Sequence, residues 1–277
     1  MSEFPFPVLA LLAGLFGLLI GSFLNVCIYR LPRDLSVVRP RSHCPFCEKT
    51  IAWYDNIPLL SYFLLGGRCL HCGAKIPWRY PLVEALTSLL FVASFWRLGA
   101  TYDAIKLAIF CALLVGLMFM DFEERILADE FTVGGMIFGF AASLFLPMPK
   151  FVAALFLPTE WRESYRSLAE SLLGGLLPAI SLWAIGELYY RLRGREGLGF
   201  GDVKMIAMVG AFYNLQASLL TLMIGSLIGS LLGVFFIWIA RKDAQTYELP
   251  FGTFLGIAAL LPPFIWPEIA NRLVTPW

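Results

Sequence analysis

Apolar stretches recur along the whole chain, near 6–29, 80–98, 103–120, 131–148, 168–191, 203–214, 218–240 and 253–274. A helix needs about 20 residues, roughly 17–25, to cross a bilayer. Hydrocarbon offers no water to backbone N–H and C=O groups, so each crossing must satisfy them within itself. The pattern predicts an all-α polytopic membrane protein with about eight transmembrane helices, the bilayer serving as part of its solvent. The 203–214 run is short for a complete crossing. Composition agrees: 59% of the residues are hydrophobic and 15% charged, more apolar surface than a soluble chain of this length can hide. A net charge of +1 leaves no electrostatic footprint for nucleic acid, and none is expected as a partner. The first run, Pro5 to Ile28, is too long for the apolar core of a signal peptide and lacks a basic stretch before it. It reads as a first membrane helix carrying polar Ser22 and Asn25 in its last turns.

Basic residues set the expected orientation. Arg30, Arg33, Arg39, Arg41, Lys49, Arg68, Lys75 and Arg79 fall between the first two runs. Arg191, Arg193, Arg195 and Lys204 mark a second basic loop, and Arg241 with Lys242 a third. Basic loops stay cytoplasmic. Eight passes with the N-terminus outside place all three there. The 149–167 loop on the other side carries Lys150, Arg162 and Arg166, with Trp161 and Tyr165 suited to a membrane interface. Gly225, Gly229 and Gly233 repeat every fourth position and predict close helix packing within the chain, a dimer face being the other reading.

The basic 30–79 segment holds Cys44-Pro-Phe-Cys47 and Cys69-Leu-His-Cys72, with 21 residues between the pairs. Two such pairs close one tetrahedral site, and zinc is its usual occupant. His43 and His71 stand nearby, but four thiolates already complete the shell. A reducing cytosol favours metal over disulfides. Cys27 and Cys111 sit in apolar runs and read as buried packing. The expected organisation is a first membrane helix at 1–29, a zinc-binding cytosolic module at 30–79, and a membrane-embedded core at 80–277.

Two carboxylates stand at membrane edges, where acids are costly and call for a reason. Asp121 directly follows the apolar run ending at Met120. Asp202 closes Gly199-Phe200-Gly201-Asp202 and precedes the run from Val203. Both fall at the cytoplasmic edge in the topology above. Gly199 and Gly201 leave open backbone beside the acid, which suits an extended peptide. Paired carboxylates repel, so one holds a proton while the other is ionised, giving acid and base together. Their titration then belongs to the pair. Glu123, Glu124, Asp129 and Glu130 crowd the same stretch and read as a solvated turn. Glu84, Glu170 and Glu187 lie in or near membrane helices, lining a site or reaching for the interface.

These residues stand within a larger set. Gly21-Ser-Phe-Leu-Asn25, Tyr29-Arg-Leu-Pro32, the first cysteine pair, Tyr54-Asp-Asn-Ile-Pro58 and Leu60-Ser-Tyr62 come first. The second cysteine pair, Arg79-Tyr-Pro-Leu-Val-Glu84, Glu196-Gly-Leu-Gly-Phe-Gly-Asp202-Val-Lys204 and Pro250-Phe-Gly252 follow in order. Over nearly its whole length the chain resembles the type IV prepilin peptidases, the membrane aspartic proteases of type IV pilus and type II secretion systems. The resemblance implies catalytic aspartates at Asp121 and Asp202, with Gly199 and Gly201 as supporting backbone. It implies prepilin or pseudopilin substrates with a short basic leader, cut after a glycine and before an apolar helix. It implies a multi-pass protein of the bacterial inner membrane with its site facing the cytoplasm. It also implies N-methylation of the new terminus by S-adenosylmethionine, for which the sequence offers no glycine-rich signature and no cofactor-binding residues. The family pattern continues from the first aspartate to Pro-Asp, whereas Asp129 here follows Ala128, and the spacer near 145–165 is longer than usual. Two other classes compete: a transporter using Asp121 and Asp202 as a proton or ion relay, and a non-catalytic adaptor with the zinc loop as its platform. Neither explains the whole motif set.

Overall fold

The computed structural model describes residues 5–148, 156–158, 160–195, 197–240 and 249–274, with side chains as far as 235 and 264 in the last two segments. Lys150, Glu196, Arg241, Lys242 and part of the 145–165 spacer lie outside the described residues. The described residues form nine α-helices and no strand, only two isolated β-bridges. The helices are α1 (Phe6–Arg30), α2 (Leu60–Leu64), α3 (Arg79–Leu98), α4 (Tyr102–Glu124), α5 (Asp129–Ser143), α6 (Glu163–Arg193), α7 (Phe200–Phe212), α8 (Leu215–Ala240) and α9 (Phe251–Val274).

Every apolar run lies on a helix, but the helices differ in reach. Five of the eight expected crossings have full length among the described residues: Phe6–Arg33, Arg79–Leu98, Tyr102–Glu124, Glu163–Arg193 and Leu215–Phe235. α5 has 15 residues and α7 has 13. At 1.5 Å per residue they extend about 22 and 20 Å, short of a hydrocarbon core of about 30 Å. The described apolar part of α9, Phe251–Phe264, is short as well.

The chain divides into two compact units, 1–116 and 117–277, with the boundary inside α4. In the first unit α1 packs on α3 through glycines. A Cβ at Gly17 would fall 2.7 Å from Ser88 Cα, and one at Gly21 2.6 Å from Glu84 Cα. Only a residue without a side chain permits that approach. Polar bonds pin the contact: Ser88 Oγ donates to Gly14 O (2.9 Å) and Asn25 Nδ2 to Tyr80 O (3.0 Å). Glu84 accepts Leu59 N–H at 2.8 Å and so holds the connecting loop against α3.

In the second unit α7 is the core. Every residue from Val203 to Phe212 except Lys204 is buried, so the helix is apolar on all faces and its polar end is its N-terminus. α5 and α6 reach it through small residues, Gly139 against Ala211 and Gly174 against Gly210. Ser171 Oγ donates to Ala211 O (2.6 Å) and Ser218 Oγ to Gly174 O (2.9 Å). The α8 glycines face α9 and its lead-in: Gly225 meets Leu255, Gly229 meets Phe254, and Gly233 meets Leu249. They form a seam within the chain, as their spacing predicts.

The contrast between crowded and open glycines is testable. Gly210→Ala sets a methyl against the Gly174 carbonyl and is expected to cost about 1–3 kcal/mol, as overpacking does. Gly134 has open space where its Cβ would lie, so Gly134→Ala should leave thermal stability in detergent unchanged or raise it. Equal melting midpoints for the two variants would contradict this packing.

Candidate active site and metal centre

Asp121 sits in the last turn of α4, and the local sequence ends the helix just beyond it. Arg125 adopts a left-handed backbone, φ 58°, and its Nη1 donates to Asp121 O (2.9 Å) and Phe122 O (2.8 Å). The Asp121 side chain is buried, 6% exposed, and turns away from its own helix. Its Oδ2 accepts Thr253 N–H (2.7 Å) and Thr253 O–H (2.8 Å). Thr253 lies in the first turn of α9, where free N–H groups and the helix dipole favour an anion. A carboxylate is a poor terminus for α4 but a good cap for α9. Oδ1 accepts no hydrogen bond among the described residues.

Asp202 is the third residue of α7. Its carboxylate has no hydrogen-bond partner among the described residues. Leu127 joins the two sides. Its side chain rests against Gly201, 3.0 Å from where a Cβ would be, and at the same distance against Gly252. Gly252 in turn faces the Asp121 carboxyl carbon, 3.1 Å from its own absent Cβ. At Gly199 a Cβ would stand 3.1 Å from Asp202 Oδ2. Gly199 and Gly252 therefore keep space beside the two acids, and Gly201 keeps space for Leu127. The structure brings together Asp121, Asp202, Gly199 and Gly201. It gives a place to Gly252 of the Pro250-Phe-Gly252 motif, and it adds Leu127 and Thr253, which the sequence reading did not single out, although Thr253 directly follows that motif.

The other acids are engaged elsewhere. Asp129 starts α5 and pairs with Lys204 of α7. Glu187 pairs with Arg191 one turn away at 2.7 Å. Glu84 belongs to the first unit, where it holds Leu59. Glu170 is buried in α6.

The four cysteines converge in the first unit. Their Sγ atoms all lie within 4.8 Å of one another, close enough to bind one metal ion. Cys44 and Cys72 Sγ are 3.8 Å apart, the edge of a sulfur tetrahedron with metal–sulfur bonds of about 2.3 Å. The cluster is built from two copies of one turn. Glu48 N–H donates to Cys44 O as Gly73 N–H donates to Cys69 O, and Cys44 N–H to Lys49 O as Cys69 N–H to Ala74 O. The bridges His43–Thr50 and Arg68–Lys75 close the two turns alike. Neither histidine joins the cluster: His43 Nδ1 meets Arg41 O at 3.1 Å, and His71 is exposed.

Comparison with known proteins gives the same picture from another side. Residues 15–98 match the bacterial peptidase A24 N-terminal domain, and residues 108–234 match the type IV leader peptidase family. A Myxococcus xanthus protein is 40% identical over 82% of this chain and 63% of its own length. A Pseudomonas aeruginosa protein is 33% identical over 93% of this chain and 90% of its own. One from Xanthomonas campestris is 34% identical over 92% and 90%. All three are called prepilin leader peptidase/N-methyltransferase. No solved structure matches the chain.

The sulfur cluster predicts one metal ion per chain in protein purified without chelator, measured by elemental analysis. Cys44→Ser combined with Cys47→Ser should remove it. A metal-free wild type, or a metal content untouched by the double substitution, would contradict the geometry.

Proposed function

The chain belongs to the type IV leader peptidase family, and we propose that it is a membrane aspartic endopeptidase acting on type IV prepilins or type II secretion pseudopilins. The carrying observation is the pair of carboxylates in one unit, Asp121 held by two donors and Asp202 by none among the described residues. The donors make Asp121 the partner whose ionised form is supported, and Asp202 the partner that keeps the shared proton. In the proposed reaction Asp121 takes a proton from water as its oxygen attacks the scissile carbonyl. Asp202 protonates the carbonyl oxygen, and collapse of the tetrahedral intermediate sends a proton to the leaving amine. Gly199 and Gly252 have no side chain to press on the acids, and the bare backbone of Gly199 and Gly201 suits the approach of an extended peptide. The basic loops support cytoplasmic placement of this site in the bacterial inner membrane. Cleavage after the glycine of a basic leader rests on the family.

Zinc is the proposed occupant of Cys44, Cys47, Cys69 and Cys72, since four thiolates gathered within 4.8 Å of one another suit it. It would supply folding energy to a loop with little core of its own. S-adenosylmethionine, when bound, supplies an electrophilic methyl group to the freed N-terminal amine, and this second activity also rests on the family. The proton-relay reading of the same aspartates leaves the family match unexplained.

The test is mass spectrometry of a purified prepilin after incubation with the protein, with and without S-adenosylmethionine. The expected product lacks the leader and gains one methyl group when the donor is present. Asp121→Asn and Asp202→Asn should each slow cleavage by about 10²–10⁴-fold, the usual worth of general acid–base catalysis. Asp129→Asn disturbs only an exposed ion pair and should cleave within a few-fold of wild type, since such pairs contribute about 0–1 kcal/mol. Full activity in either Asn variant of the pair would remove that residue from the site.

A further inference from the structure

α1 ends in a buried cation that no carboxylate among the described residues neutralises. Arg30 is 7% exposed. Its Nη1 donates to Ser36 O and its Nη2 to Pro40 O, both at 2.8 Å. Backbone carbonyls orient the guanidinium but leave its net charge in place. Glu84 packs beside α1 at Gly21, nine residues before Arg30 and so about 13 Å away along the helix, where it accepts Leu59 N–H. A desolvated charge without a counter-charge is costly, and ionised groups at membrane helices normally have a partner. Arg30 therefore lacks an anion.

The place for one is next to it. Arg30 lines an open cavity of about 390 Å³ within the first unit, in the size range of ligand sites, roughly 300–1,000 Å³. Arg41, Ser42 and Asn56 give the cavity further donors, and no acidic side chain lines it. Leu19, Phe23 and Val26, which precede Arg30 on the same face of α1, make its apolar part. Leu19 and Phe23 are 59% and 50% exposed on a helix long and apolar enough to cross a bilayer. One end of the cavity is thus cationic and rich in donors, and one wall continues onto a surface made for hydrocarbon. A small soluble anion would satisfy the first feature and leave the second bare. An anionic phospholipid satisfies both, its phosphodiester at the arginines and a chain along Leu19 and Phe23.

We propose that this cavity binds one anionic phospholipid. The lipid supplies the counter-charge to Arg30 and Arg41 and fastens the 36–42 segment to the end of α1, immediately before Cys44. The metal-bearing loop is then steadied by the leaflet it emerges from. This inference depends on α1 lying in the membrane and is independent of the peptidase reading.

The test uses the full-length protein in detergent. Native mass spectrometry and thermal unfolding are followed with phosphatidylglycerol, phosphatidylcholine, inorganic phosphate and S-adenosylmethionine as separate probes. One phosphatidylglycerol per chain should be retained and should raise the melting midpoint. Phosphatidylcholine should bind about ten-fold more weakly, as loss of net charge-assisted binding implies. Arg41→Gln should weaken phosphatidylglycerol by about ten-fold on the same grounds, while lipid-free stability stays at the wild-type value. Arg30→Lys, which keeps the charge, should bind better than Arg30→Gln. If Arg30→Gln does not fold, Arg41→Gln alone decides. Equal retention of the two lipids, or wild-type binding by Arg41→Gln, would overturn the proposal as non-selective lipid contact. Displacement of the lipid by phosphate or by S-adenosylmethionine would overturn it in favour of a soluble ligand.

Discussion

The two hydrogen bonds from Thr253 to Asp121 Oδ2 are the contact around which the proposed site of the second unit is arranged. They join the last turn of α4 to the first turn of α9, elements separated by most of that unit in sequence. Each side gains from the arrangement. α9 acquires a carboxylate at its N-terminus, where backbone donors would otherwise go unmet, and Asp121 acquires a fixed orientation. Around this contact everything else is spacing. Leu127 fills the gap between Gly201 and Gly252, and α7, buried along its length, presents Asp202 at its only polar end. Side chains at 199 and 252 would press on the two acids, and one at 201 would press on Leu127.

The first unit solves a different problem. The 31–78 segment has few buried apolar side chains and cannot fold on a core. It is organised by repetition instead. Two cysteine turns with the same hydrogen bonds face one another. At the point where the second turn uses Gly73 with φ 71°, the first uses Glu48 with φ 56°. A left-handed backbone favours glycine, so the first turn is the more strained of the two. Arg30 and Glu84 tie this segment to the membrane helices from either side.

The sequence revealed much of this, for identifiable reasons. Membrane helices were legible because hydrophobic length alone defines them, and Cys44, Cys47, Cys69 and Cys72 because CxxC spacing fixes a turn. Asp121 and Asp202 stood out because acids are rare where apolar runs end. What stayed hidden is what depends on distant partners. Asp121 looked misplaced at the end of α4 because the helix it caps begins 130 residues later, at Phe251. Thr253 is an ordinary residue in an apolar run until that contact forms. Hydropathy alone marks more helices than the five that have full crossing length among the described residues, for a related reason. α5 and α7 have the hydropathy of membrane helices but not the length, and composition does not report where a helix stops.

In the proposed mechanism α9 holds the reacting carboxylate, and a steady-state comparison of Thr253→Val with Thr253→Ser tests this most directly. Valine keeps the shape and the backbone N–H but removes the hydroxyl, while serine restores it. A hydrogen bond to a charged group contributes about 1.5–3 kcal/mol, so kcat for prepilin cleavage should fall by about ten-fold or more in the valine variant, with KM nearly unchanged. The serine variant should recover most of that loss. Wild-type kcat in Thr253→Val, or a loss confined to KM, would mean that Thr253 does not position Asp121 for the reaction.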